Sequence, residues 1–173
     1  FDYNRISSNL FGIELNNARY CNIQYNVISN NRLWALSFMG ESSFNKIIYN
    51  TVKDNVRGMR FVESNDAKSQ FNAVLYNSLI HNSDSVGFIS SSPQSVFNYN
   101  NIYDNGDSCT FINATSDTVH AEFNYWGTGD TTEINRIIFD VYDDAASEIV
   151  IYKPFETSSN TDTPINAPRE VYK

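Results

Sequence analysis

Through residue 127, apolar residues come in runs of three to six, broken by Asn, Ser and Asp. One stretch reads "CNIQY", "NVI" and "LWALSF"; the next reads "FNKIIY", "NTV" and "GMRFV"; a third reads "FNAVLY", "NSLI" and "GFI". Sustained 3.6-residue periodicity is missing there, and β-branched and aromatic residues dominate the runs, so strands are predicted. The three-run unit repeats. Tyr-Asn-x-aliphatic-x-x-Asn stands at residues 3–9, 25–31, 49–55, 76–82 and 99–105, and "FNYWG" puts Phe123 in the same place. The intervals between these aromatics are 22, 24, 27, 23 and 24 residues. Three short strands at such a period predict a stacked parallel β-solenoid.

Stacking assigns the recurring residues their work. Turns of a β-solenoid lie ~4.8 Å apart, so each repeat position becomes a column. Asn4, Asn26, Asn50, Asn77, Asn100 and Asn124 form one column, and Asn9, Asn31, Asn55, Asn82 and Asn105 a second. Their amides can donate to one neighbour and accept from the other, and Asn tolerates the left-handed backbone of a sharp corner. Tyr3, Tyr25, Tyr49, Tyr76 and Tyr99 form an aromatic stack beside the first column. The third run opens on Gly12, Ala35, Gly58 or Gly87. Alternation then points Ile13, Leu36, Met59 and Phe88 inward, and Glu14, Ser37 and Arg60 outward.

The end of the chain departs from the repeat. Asp130 and Glu133 in "DTTE" form a capping box. Ile134, Ile137, Ile138, Val141 and Tyr142 then predict an amphipathic helix, and "EIVIYKPF" a last strand ended by Pro154. A solenoid needs such a cap over its open end. The fold expected is all-β, a parallel β-helix of about five to six turns. Its turns occupy residues 1–127, its helix-strand cap 128–155, and a polar linker or tail 156–173. Phe1 falls inside a repeat, so upstream turns of the same parent chain are expected as a partner for the first turn.

Composition changes this picture in three places. The formal charge is −8, yet residues 1–116 hold 9 acidic and 8 basic side chains while residues 117–173 hold 11 and 4. The body is near neutral and the end acidic, with no basic stripe for nucleic acid and nothing to attract an anionic membrane. No apolar run is long enough to span a bilayer. The two cysteines, Cys21 and Cys109, are nearly four repeats apart and read as buried free thiols.

The "NxIxxN" rungs and the closing "FNYWGTGDTTEINRIIFDVYDDAASEIVIYKPF" resemble right-handed parallel β-helix proteins of the carbohydrate-binding and sugar-hydrolase type. The likeness covers residues 1 to about 155. The closing segment is similar to the β-helix end of extracellular bacterial and archaeal proteins, among them the disaggregatases of methanogenic archaea. That resemblance implies a right-handed winding, in line with the general crossover preference, and an extracellular or cell-surface protein acting on a matrix polysaccharide as a hydrolase or lyase. Other members of this broad group are surface adhesins and maturation factors without hydrolytic activity. A non-catalytic, glycan-binding or spacing scaffold is therefore the alternative.

The candidate chemistry lies at the second corner. Ser8, Asn30, Asp54, His81 and Asp104 precede the ladder Asn in successive turns. Asp54 and Asp104 would stand two rungs apart, roughly 10 Å, near the top of the ~6.5–9.5 Å range of an inverting carboxylate pair. Asp54, His81 and Asp104 are the catalytic candidates, set against the plain alternative of a solvated corner. Lys53, Arg57, Arg60 and Tyr103 are the substrate-binding candidates, because cations hold a uronate carboxylate and aromatic rings take sugar C–H faces. Trp34, Tyr20 and Trp126 are further aromatic candidates, the two tryptophans with an interior alternative. No cofactor is expected. Asp130, Glu133, Asp140, Asp143 and Asp144 crowd the cap, but their spacing matches no EF-hand calcium loop, and helix-surface acidity accounts for them. "NAT" at Asn113 is the one glycosylation sequon. Phosphate loops, Cys/His metal spacings and nucleophile elbows are missing.

Overall fold

The computed structural model describes residues 1–64, 67–90, 94–106 and 110–164. It is a parallel β-solenoid of about five turns, consistent with right-handed winding, with one short helix near the C-terminus. In chain order the strands are β1 (Arg5–Ser7), β2 (Ile13–Asn16), β3 (Asn22–Gln24), β4 (Val27–Ser29), β5 (Trp34–Met39), β6 (Lys46–Ile48), β7 (Thr51–Lys53), β8 (Arg57–Val62) and β9 (Ala73–Leu75). There follow β10 (Ser78–Ile80), β11 (Gly87–Ile89), β12 (Val96–Asn98), β13 (Asn101–Tyr103), β14 (Phe111–Asn113), β15 (Val119–His120), α1 (Thr131–Ile137), β16 (Ile138–Phe139) and β17 (Val150–Ile151). They stack into three walls. The first wall is β3-β6-β9-β12-β15-β17, the second β1-β4-β7-β10-β13 and the third β2-β5-β8-β11-β14-β16.

Between the first turn, where Asn4 and Asn9 are exposed, and half-buried Asn105, each ladder Asn of the two columns is buried and bonded above and below. Asn77 shows the pattern: its Nδ2 donates to Asn100 Oδ1 at 3.1 Å and to the carbonyls of Ile47 and Leu75 at 2.8 and 3.0 Å. Its Oδ1 accepts from Asn50 Nδ2 and from the Asn50 backbone N–H. The second column runs likewise through Asn31, Asn55, Asn82 and Asn105. A third column, Asn45 and Asn72 with Ser95 beyond, sits where the third wall returns to the first. The sequence carries its sign in "FN" at residues 44–45 and 71–72, the same aromatic–Asn pair as "YN".

The residue before each ladder Asn is left-handed, with φ between 52° and 64° in Tyr25, Tyr49, Tyr76, Tyr99, Ser8, Asn30, Asp54, His81, Asp104, Phe44 and Phe71. This conformation costs a non-glycine residue roughly 1–2 kcal/mol, which the buried amide bonds of the neighbouring Asn offset. It also turns the side chain outward. The rings of Tyr3, Tyr25, Tyr49, Tyr76, Tyr99 and Phe123 accordingly stack with centroids 5.1–5.3 Å apart. Tyr20, Phe44 and Phe71 form a shorter stack at the third corner.

The interior is apolar, with Ile23, Ile28, Leu36, Phe38, Ile47, Phe61 and Val74 wholly buried. Phe88 is not part of it. Gly87, not Phe88, lies in register with Met59, and Phe88 pairs with Arg60 on the outer face. Gly87 stands five residues past Asn82, whereas Gly12 and Gly58 stand three past Asn9 and Asn55 and Ala35 four past Asn31, so here the small residue falls at the place of Met59 and not of Gly58. A one-residue slip exchanges the two faces of a strand. Val86 takes the inner place beside Gly58 instead, where a Cβ on Gly58 would come 2.3 Å from the Val86 carbonyl oxygen.

The cap is shorter in its helix than the periodicity predicts. α1 ends at Ile137, and Ile138 turns extended to pair with Phe111 on the open edge of β14. Edge pairing outcompetes another helical turn for Ile138–Phe139, a β-branched residue followed by an aromatic one. Tyr142 is left 85% exposed. The capping box is closed through a third residue: Asp130 accepts from Thr132 N, while Thr128 Oγ1 accepts from Asp130 N and donates to Glu133. Residues 160–164 return along the outside of the second wall. Cys21 is a half-buried free thiol rather than a buried one, and Cys109 lies outside the described residues. Asn113 of the sequon is buried, its Nδ2 donating to the carbonyls of Asp117 and Glu148, so it is closed to glycosylation as folded.

Candidate functional site

Asp54, His81 and Asp104 occupy one corner position in three adjacent turns, each left-handed and each aimed at solvent. The imidazole stands between the two carboxylates. His81 Nδ1 is 3.7 Å from Asp54 Oδ1, and Nε2 is 3.6 Å from Asp104 Oδ2. Lys53 Nζ is 4.0 Å from Asp54 Oδ2. The side chains are 42% (Asp54), 54% (His81) and 70% (Asp104) exposed, so the row is a ridge and not a cleft. Tyr103 shares a register position with Lys53 through Ile80, one residue before the ridge, and tilts against Tyr125 at 5.8 Å.

Arg57 and Arg60 belong to a second group, around the corner on the third wall. The centre is Trp34, 7% exposed, outside the core cluster and flanked by two arginines and Phe88. The Arg57 and Arg60 guanidinium carbons lie 5.5 and 5.7 Å from the indole centroid, and Phe88 tilts against it at 6.2 Å. Arg60 also lies 5.3 Å from the Phe11 ring and donates from Nε to Ser37 Oγ at 2.8 Å. Arg57 Nε donates to Asp84 Oδ2 at 2.7 Å. Burial pulls the Arg60 pKa below the usual arginine value. Arg57 adds to that pull and Glu14 opposes it, yet a guanidinium stays charged in this range. Cation–π contacts of this kind hold a guanidinium at a fixed place while leaving N–H donors at its rim.

The seven residues proposed from the sequence thus fall into two neighbouring clusters along one wrap of the chain. Asp54, His81, Asp104, Lys53 and Tyr103 line the corner, while Arg57 and Arg60 clamp Trp34. Sequence reasoning left out Phe11, Asp84 and the outward Phe88. The signal for Asp84 was available, since it stands one turn below Arg57 at the same distance past the corner Asn. Phe88 was hidden by the register slip. Lys46 begins β6, on the first wall, away from both clusters. Tyr20 is 73% exposed on the third corner, and Trp126 is core at 2%.

The acidic residues of the cap serve their own turns. Asp140 accepts from Tyr142 N and Val150 N, Asp143 from Asp140 N, and Asp144 from Ala146 N. Among the described residues no group of three or more His, Cys, Asp or Glu is arranged to hold a metal ion. No described helix is long and apolar enough to cross a membrane. Comparison of the chain with protein-family models, curated proteins and solved structures found no match.

Proposed function

We propose that the chain is a polysaccharide-facing β-helix module of an extracellular or cell-surface protein, and that it binds an acidic glycan through its third wall and second corner. The observation that carries this reading is the Arg57–Trp34–Arg60 clamp. Two guanidiniums are held against one indole on an outer face, beside the half-exposed Lys53 and Tyr103. Fixed guanidiniums suit carboxylates, and the adjoining aromatic faces suit sugar rings. The likeness of the rungs and closing segment to sugar-acting β-helix proteins points the same way.

A second reading, hydrolysis or elimination at Asp54, His81 and Asp104, draws on the placing of an imidazole between two carboxylates. In glycoside hydrolysis the carboxylates face one another across the scissile bond, in a site that limits water. Here the imidazole fills the interval and the ridge is open, so binding is the better supported of the two. A disaggregatase-like depolymerase remains the specific form of the second reading.

The test is binding of polygalacturonate, alginate and a neutral glucan, with reducing ends and unsaturated uronate absorbance followed in parallel. Replacing Arg57 and Arg60 together by Ala should weaken uronate binding roughly tenfold or more and leave the neutral glucan unchanged, as expected for lost charge-assisted bonds. Uronate binding that is indifferent to both arginines sinks the proposal. Cleavage abolished in Asp54→Asn or Asp104→Asn would establish the second reading in its place.

A further inference from the structure

The outward row of the second wall is polar and buried at once. Thr51, Ser78 and Asn101 stack in register on β7, β10 and β13, yet are 1%, 1% and 0% exposed. The chain's own residues 160–164 cover them. Asn101 and the Asn160 backbone exchange two bonds, Asn160 N donating to Asn101 Oδ1 at 2.7 Å and Asn101 Nδ2 to Asn160 O at 3.0 Å. Asn101 Nδ2 also donates to Thr163 Oγ1. Ser78 Oγ donates to Thr163 Oγ1 at 3.2 Å, and Thr51 Oγ1 to the Pro164 carbonyl at 3.1 Å. The strap thus descends the wall one rung at a time.

Its attachment is unlike the rest of the fold. Residues 156–159, Thr161 and Asp162 are exposed, and no apolar side chain of the strap is buried. A few hydrogen bonds hold it, each worth a net of about 1 kcal/mol. The row beneath offers an amide and two hydroxyls at ~4.8 Å spacing. The tyrosine ladder borders it on one side. Lys53 and Tyr103, leading to the Asp54–His81–Asp104 ridge, border it on the other. The strap meets this track with the Thr163 hydroxyl, the Asn160 backbone and the Pro164 carbonyl. Hydroxyls and ether or carbonyl oxygens are what a glycan presents, and Lys53 at the border supplies the cation for a uronate carboxylate.

We propose that the Thr51–Ser78–Asn101 track is a binding site for a linear acidic glycan, and that residues 160–164 occupy it in place of the sugar until displaced. This rests on the acidic-glycan reading above and extends it from the third wall to the second. A site that its own chain occupies has an apparent affinity reduced by the fraction of time it is open. A strap closed nine-tenths of the time weakens binding roughly tenfold.

The test uses the full chain and polygalacturonate oligomers. Asn160→Gly with Thr163→Gly loosens the strap without touching the track, and should tighten binding up to roughly tenfold by that arithmetic. Ser78→Cys with Thr163→Cys, in a Cys21→Ser, Cys109→Ser background, puts two thiols where oxygens lie 3.2 Å apart, so that oxidation locks the strap. The oxidised form should bind several-fold more weakly than the same protein reduced. Equal affinity in the locked, reduced and loosened forms, with binding still dependent on Arg57 and Arg60, overturns the track and spares the reading it rests on. Absence of uronate binding in every form overturns both. A loosened variant that dimerises and gains no glycan affinity assigns the track to the strap of a second copy instead, and overturns the proposal.

Discussion

Asn77 condenses the logic of the fold at the scale of one residue. Its side chain satisfies two backbone carbonyls and two ladder neighbours while wholly buried. Asn77→Ala should therefore lose roughly 3 kcal/mol or more, since each orphaned buried group costs about 1–3 kcal/mol. Urea denaturation measures this, and a loss under about 1 kcal/mol would contradict the ladder as a stabilising element. Tyr49 gives a pH prediction. Burial raises its pKa above the ordinary tyrosine value, and the neighbouring Tyr25 and Tyr76 and the Asp162 charge raise it further. The folded state thus favours the protonated phenol. The stability this contributes is complete below the ordinary tyrosine pKa of about 10 and fades as pH rises through the higher folded value. Tyr49→Phe keeps the stack and should flatten the alkaline limb of a stability–pH curve, while leaving neutral pH little changed. These columns were legible in the sequence because their chemistry is narrow. A left-handed corner with a buried amide beside it leaves few residue choices, so "YN" and "N" recur visibly. The third column was equally legible in "FN" but was masked by its reading as strand.

Register is where the elements escape the sequence. The residues Gly12, Ala35, Gly58 and Gly87 look equivalent, yet Gly87 lies one place further along its strand than the others. Corner length hides the slip: Leu36 and Gly87 lie five residues past their ladder Asn, Ile13 and Met59 four, so the small residue alone does not fix the register. The consequence is measurable. Phe88→Ser, on the outer face, should cost about 1 kcal/mol or less, while Phe111→Ser, 1% exposed and packed edge-on against Phe97 and Trp126, should cost roughly 3–5 kcal/mol. Equal costs would restore the other register. Phe88→Ser should also loosen Trp34, so a shift in tryptophan fluorescence is expected with it. The same slip explains why the candidate site was only half visible. Asp54, His81 and Asp104 share a corner column that repeat counting finds, and Arg57, Arg60 and Trp34 were visible one by one, whereas the place of Phe88 against Trp34 depends on which residues of β11 face out.

For the whole molecule, the decisive property is that the ladder bonds of each turn run only to the turns beside it. The ladder bonds span 22–27 residues of sequence and one rung of structure. Stability in such a stack is close to a sum of turn and interface terms, and damage at one end need not reach the other. The C-terminal end is closed by Trp126, Ile134, Ile138 and Val150, all within the core, with Ile134 wholly buried although it belongs to a helix of only 7 residues. A helix that short is held by its packing and not by its own propensity. Ile134→Asp puts a charge where no partner exists and should cost several kcal/mol. The loss should be local. Hydrogen exchange should rise first in α1, β16 and β17, then in β14 and β15, while β4, β7 and β10 keep their protection until a higher denaturant concentration. The strap of residues 160–164, held on β7, β10 and β13 by a few hydrogen bonds, should exchange ahead of those strands whatever the state of the cap. A uniform rise across every wall would instead make the solenoid one cooperative unit, and the cap an integral part of each turn's stability.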